Sequence, residues 1–164
     1  MNADTKKSTS KYDAYPLDVA YIVKLFIVGV LSGALGWLLY LAIANYFIGP
    51  VFCSNAETFS VCKNGGTIAW ASAHIIIMAV AVATLARLAV YRPLLVVLAV
   101  LVSLWSAHAW LGGMQWYIGL LWQALLFGVA VALFGQIARM TNFLVALLIS
   151  LGLAILLRVV LMYA

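Results

Sequence analysis

Two short strings in the 164-residue chain are alike: Trp70-Ala-Ser-Ala-His74 and Trp105-Ser-Ala-His108. They hold both of the chain's histidines, and each lies inside a long apolar run. An imidazole in such a run can bond to a neighbouring helix, line a polar pocket or ligate iron. Gln115, Gln123 and Arg158 come to similar depth once the runs are laid antiparallel. The sharper reading joins His74, His108, Arg158, Gln115 and Gln123 into a pocket open to one leaflet. Such a pocket would suit an anionic headgroup or a small amphiphile. The plainer reading makes each an isolated interhelical bond, with Arg158 snorkelling. A third makes His74 and His108 the axial ligands of one b-type haem. A metal without haem fits worse, because no acid or thiol in the layer completes a coordination shell.

Other chemistry is missing from the chain. No Asp or Glu falls within an apolar run, whereas proton- and cation-coupled carriers keep a carboxylate there. There is no paired-carboxylate site, no nucleophile with both a base and an orienting group, and no Gly-rich phosphate loop. The expectation is a protein that is not an enzyme and has no resident cofactor or metal.

The elements that must position these residues follow from composition. Hydrophobic residues make up 68% of the chain and charged residues 8%, with mean hydropathy +1.17. A soluble domain needs roughly a quarter charged residues to cover its surface, so lipid must be the solvent. The net charge of +5 does not point to nucleic acid, because the basic residues are scattered singly. They mark topology instead, since Lys and Arg accumulate on the cytoplasmic side.

Residues 1–16 are polar and read as a cytoplasmic head, and 17–164 as one transmembrane domain. Asp18 to Lys24 reads as an interfacial stretch. Crossing ~30 Å of hydrocarbon takes about 20 helical residues. Runs of that kind predict five spans at about 25–48, 68–90, 94–111, 115–137 and 143–162. Gly49-Pro50 should stop the first, Pro93 open the third, Gly112-Gly113 reverse the chain, and Thr141 or Asn142 cap the last. No cleavable signal peptide is visible. With the N-terminus inside, Lys6, Lys7, Lys11, Lys24, Arg87, Arg92 and Arg139 are cytoplasmic. Lys63 and Arg158 are then external, and Trp110, Trp116, Tyr117 and Tyr163 form the outer aromatic belt.

In that orientation Cys53 and Cys62 share the external loop 49–67 and face an oxidising compartment, which predicts a structural disulfide. There is no C-x-x-C pair to relay electrons. Gly29-x-x-x-Gly33, overlapped by Ser32-x-x-x-Gly36, predicts a small-residue seam for close helix packing, within the chain or with another.

The expected fold is thus an all-α polytopic bundle, N-terminus cytoplasmic and C-terminus external, in a bacterial inner membrane. The expected partners are membrane lipid and another membrane protein or a second copy, with no nucleic acid. The expected function is that of a non-enzymatic accessory or structural subunit. The first alternative is a small binding or transport protein using the polar layer. The second is a haem- or quinone-linked membrane anchor.

Overall fold

The computed structural model describes residues 19–53, 62, 64–90, 92–105, 107–140 and 142–163. The expected polar head, most of the external loop, Lys63, Thr141 and the side chains of His108 and Tyr163 lie outside the described residues. The fold is built from helices: α1 (Val19–Ala42), a π-helical extension (Ile43–Phe52), α2 (Gly65–Arg87), α3 (Pro93–Ser103), α4 (Ala107–Leu111), α5 (Trp116–Ala138) and α6 (Phe143–Tyr163). Among the described residues, four helical stretches are long and apolar enough to cross a membrane: Val19–Val51, Gly65–Arg87, Trp116–Ala138 and Phe143–Val160.

Glycine-mediated contacts fix the directions. Along α1, Leu25 meets Gly135, Gly29 meets Phe127 and Gly128, Gly33 meets Gln123 and Ala124, and Trp37 meets Gly119. The numbers fall on α5 as they rise on α1, so the two helices are antiparallel. Gly36 meets His74 and Ile48 meets Gly65, which makes α2 antiparallel to α1 as well. Because α2 and α5 run the same way, the α3–α4 segment must carry the chain back from the end of one to the start of the other. α6, joined to α5 by a short turn, then lies parallel to α3, with Arg92 against Phe143 at their starts.

The interior is filled where α1, α2, α3 and α5 meet. Leu25, Leu85, Val96, Val100, Phe127 and Phe134 are fully buried there. α6 covers the bundle from one side only and exposes Leu144, Leu148, Ile155 and Val159. Basic residues collect at one end. The Arg139 guanidinium sits 4.7 Å from the Tyr21 ring centre, and Arg92 sits 4.9 Å from that of Phe143. Lys24 lies beside Leu88 and Val90, and Arg87 closes α2. At the other end Cys53 and Cys62 form a disulfide, their Cα atoms 5.1 Å apart.

Two expectations need correction. The first helix, described from Val19, does not stop at Gly49-Pro50: it passes through them to Phe52 as a π-helix. Lys24 does not interrupt it, because its long stem can lie along apolar surface while the ammonium reaches outward. The wider π winding accommodates a proline that would break an α-helical ladder. The third expected span is not one helix: it is broken between Ser103 and Ala107. The Ser103 hydroxyl donates to the Val100 carbonyl at 3.0 Å, and Ala107 N–H bonds Leu104 O three residues back. These local bonds replace the regular helical ladder there.

Candidate functional site: a buried histidine–glutamine pair

His74 stands on α2 one turn beyond Trp70, so its ring stacks on the indole at 4.0 Å between centres. Its Nδ1 is 2.8 Å from the Trp70 carbonyl oxygen. A carbonyl only accepts, so Nδ1 carries the proton and donates. The neutral ring then has an acceptor at Nε2. From α5, the Gln123 amide donates to that atom at 2.7 Å. Phe127 closes another side, 5.2 Å between ring centres, and Gly36 of α1 backs the ring. Both His74 and Gln123 are fully buried. The arrangement ties three helices together by one side-chain bond and one ring packed against a glycine.

The glycine is necessary at that point. A Cβ on residue 36 would come 3.0 Å from Nε2 and 3.3 Å from Cδ2 of His74. The ring cannot swing away without breaking its two hydrogen bonds. The pair leaves one polar atom over: Gln123 Oε1 is buried with no partner among the described residues.

Of the five residues expected to form an open layer, the structure brings His74 and Gln123 into direct contact. Gln115 is exposed at the start of α5, where its Oε1 accepts from the Tyr117 hydroxyl. Arg158 is exposed on α6. His108 lies on α4, and its side chain is outside the description. The two Trp-to-His strings do meet, but through their tryptophans, with Trp70 and Trp105 edge to face at 5.6 Å. Both nitrogens of His74 lie within hydrogen-bond distance of protein groups, Nδ1 of the Trp70 carbonyl and Nε2 of the Gln123 amide. Among the described residues no three His, Cys, Asp or Glu side chains cluster as a metal site.

The small-residue seam has an internal partner. Gly29 and Gly33 face the α5 backbone: added Cβ atoms would lie 2.5 Å from the Phe127 carbonyl and 2.7 Å from that of Gln123. Ser32 is buried beside them, and Gly36 faces α2. Sequence reading missed the matching face on α5, where Gly119, Gly128 and Gly135 receive Trp37, Phe26 and Leu25. Ala124-x-x-x-Gly128 has the same four-residue spacing and would have revealed it.

The class that fold and site define is an all-helical bundle with a polar tie at its centre and four helices able to cross a membrane. No family model, curated protein or solved structure matches the chain.

Proposed function

We propose that the protein is a non-enzymatic accessory subunit of a bacterial inner membrane, held N-terminus inside and C-terminus outside. In this reading α6 docks against another membrane protein. The observation that carries it is Arg158. It is an exposed cation near the end of the least covered helix, and it has no hydrogen-bond or ion-pair partner among the described residues. Those residues include no Asp or Glu. A charged side chain in a membrane helix costs about 2.5–3.5 kcal/mol at the bilayer centre, less where it snorkels. A carboxylate or carbonyl on a facing helix offsets that cost, and Ile155 and Val159 beside Arg158 supply the apolar contact. The polar pair at the bundle centre supports the same reading, since His74 and Gln123 are spent on internal packing. The remaining expectation, a pocket for an amphiphile, would need Gln115 and Arg158 to join that pair.

The test is a photo-crosslinking residue at Ile155 in native membranes. The wild-type chain should give one discrete heavier adduct, and Arg158→Leu should lose it while inserting normally. Breaking a desolvated charge pair costs on the order of 2–5 kcal/mol of association, enough to empty the complex. Arg158→Lys should retain part of the adduct. An undiminished adduct in Arg158→Leu would make Arg158 a snorkelling residue and end the proposal.

A further inference from the structure

Beyond a protein partner, the molecule carries a second feature that the central polar pair does not use. α3 and α6 pack side by side, and a groove of about 540 Å³ lies along them. Leu98 and Val102 wall it from α3, Leu147 and Leu151 from α6, and the small Ala99 and Ala154 leave it deep. Its length is set by the break after Ser103. An 11-residue α3 rises about 16 Å at 1.5 Å per residue, about half of a ~30 Å hydrocarbon core. The groove is therefore one leaflet deep.

Its mouth is cationic. Arg92 lines the groove and reaches over the Phe143 ring toward the Met140 carbonyl, 3.5 Å away. Lys24, Arg87 and Arg139 lie at the same end of the bundle, and no acidic residue occurs among the described residues. The groove wall also holds an unmatched hydroxyl. Ser72 and Thr84 donate to the carbonyl four residues back, and Ser103 to the one three back. Ser150 is only 3% exposed, lines the groove, and its Oγ has no partner among the described residues.

From these observations we infer that the α3–α6 groove binds one anionic phospholipid of the leaflet on the basic side. An acyl chain fills the groove and the phosphate meets Arg92. The charge at the mouth selects anionic over zwitterionic headgroups, and the depth selects a lipid chain over a crossing helix, which would extend past the break.

The experiment is native mass spectrometry of the full chain, purified in a neutral detergent away from any partner. It is titrated with phosphatidylglycerol or phosphatidylcholine of matched chains. One adduct of phosphatidylglycerol should form, preferred about fivefold, the selectivity of one juxtamembrane cation. Arg92→Gln should reduce that preference to none. Arg139→Gln, which removes a charge at the same end but from the Tyr21 side, should leave it intact. Ala99→Phe should fill the groove and abolish both adducts. Equal binding of the two lipids by the wild-type chain would overturn the inference. So would loss of the preference in Arg139→Gln to the same degree as in Arg92→Gln, or a full adduct in a folded Ala99→Phe chain.

Discussion

At the scale of single residues, the turn between α2 and α3 stores strain that a substitution can release. Val90 N–H bonds Leu85 O at 3.0 Å and Ala89 N–H bonds Ala86 O at 3.1 Å. That pair of bonds is the Schellman ending of a helix, in which the residue after the cap is left-handed and is usually glycine. Here it is Ala89, at φ 53°. A Cβ in that region costs roughly 1–2 kcal/mol, while glycine loses roughly 0.4–1 kcal/mol more in unfolded-chain entropy. Ala89→Gly should therefore stabilise the protein by about 0.5–1 kcal/mol. Ala89→Val should destabilise it, because β-branching worsens the same clash. Unfolding in mixed micelles with increasing dodecyl sulfate measures both, and a less stable Ala89→Gly would refute the assignment of strain. The alanine is retained where its neighbours Leu85 and Val90 are buried, so the hydrophobic contact across the motif holds the turn despite it.

At the scale of elements, the α1–α5 seam sets how closely the bundle packs. Gly33→Ala would put a methyl group 2.7 Å from a backbone carbonyl and 2.8 Å from Phe127 Cβ. Backbone cannot yield as a flexible side chain does, so the helices must separate. The expected loss is about 1–3 kcal/mol, the usual cost of overpacking a tight contact. Gly152 on α6 has nothing within 4 Å of such a methyl, and Gly152→Ala should be neutral or up to ~1 kcal/mol stabilising through helix propensity. The same unfolding assay separates the two, and equal effects at both positions would show that the seam does not control packing. Much of this level was legible in the sequence. Apolar runs and their punctuation place α2, α5 and α6 within three residues of their observed bounds. The break at Leu104 was not legible, since Ser103-Leu104-Trp105 lies in an uninterrupted apolar run and a hydroxyl's choice of acceptor is a matter of tertiary fit. The central pair was half legible. Depth arithmetic put His74 and Gln123 in one layer, but only helix rotation decides that they touch. The same rotation leaves Gln115 and Arg158 exposed.

At the scale of the whole molecule, charge distribution and connectivity together set the proposed orientation. Lys24, Arg87, Arg92 and Arg139 share one end, and the disulfide occupies the other. Placing the basic end in the cytoplasm satisfies the positive-inside bias and puts the cysteines where oxidation persists. The antiparallel contacts require the segment from Pro93 to Leu111 to return across the bundle between α2 and α5. Its helices of 11 and 5 residues rise about 24 Å together, most of a ~30 Å core, so a broken helix here is compatible with the proposed crossing. On the proposed reading, five passes leave the termini on opposite sides. A reporter active only outside the cytoplasm should work when fused after Ala164, and one active only in the cytoplasm should not. Membrane-impermeant alkylating reagents should label Cys53 and Cys62 in spheroplasts only after reduction. Closing so short a loop is worth about 2.5–3 kcal/mol by chain entropy, so reduction should also lower the unfolding midpoint. Cytoplasmic reporter activity at Ala164 would refute the five-pass orientation, because an even number of crossings returns the chain to its starting side. It would also move Arg158 to the side that already carries the basic cluster, leaving the external docking of α6 without its charge.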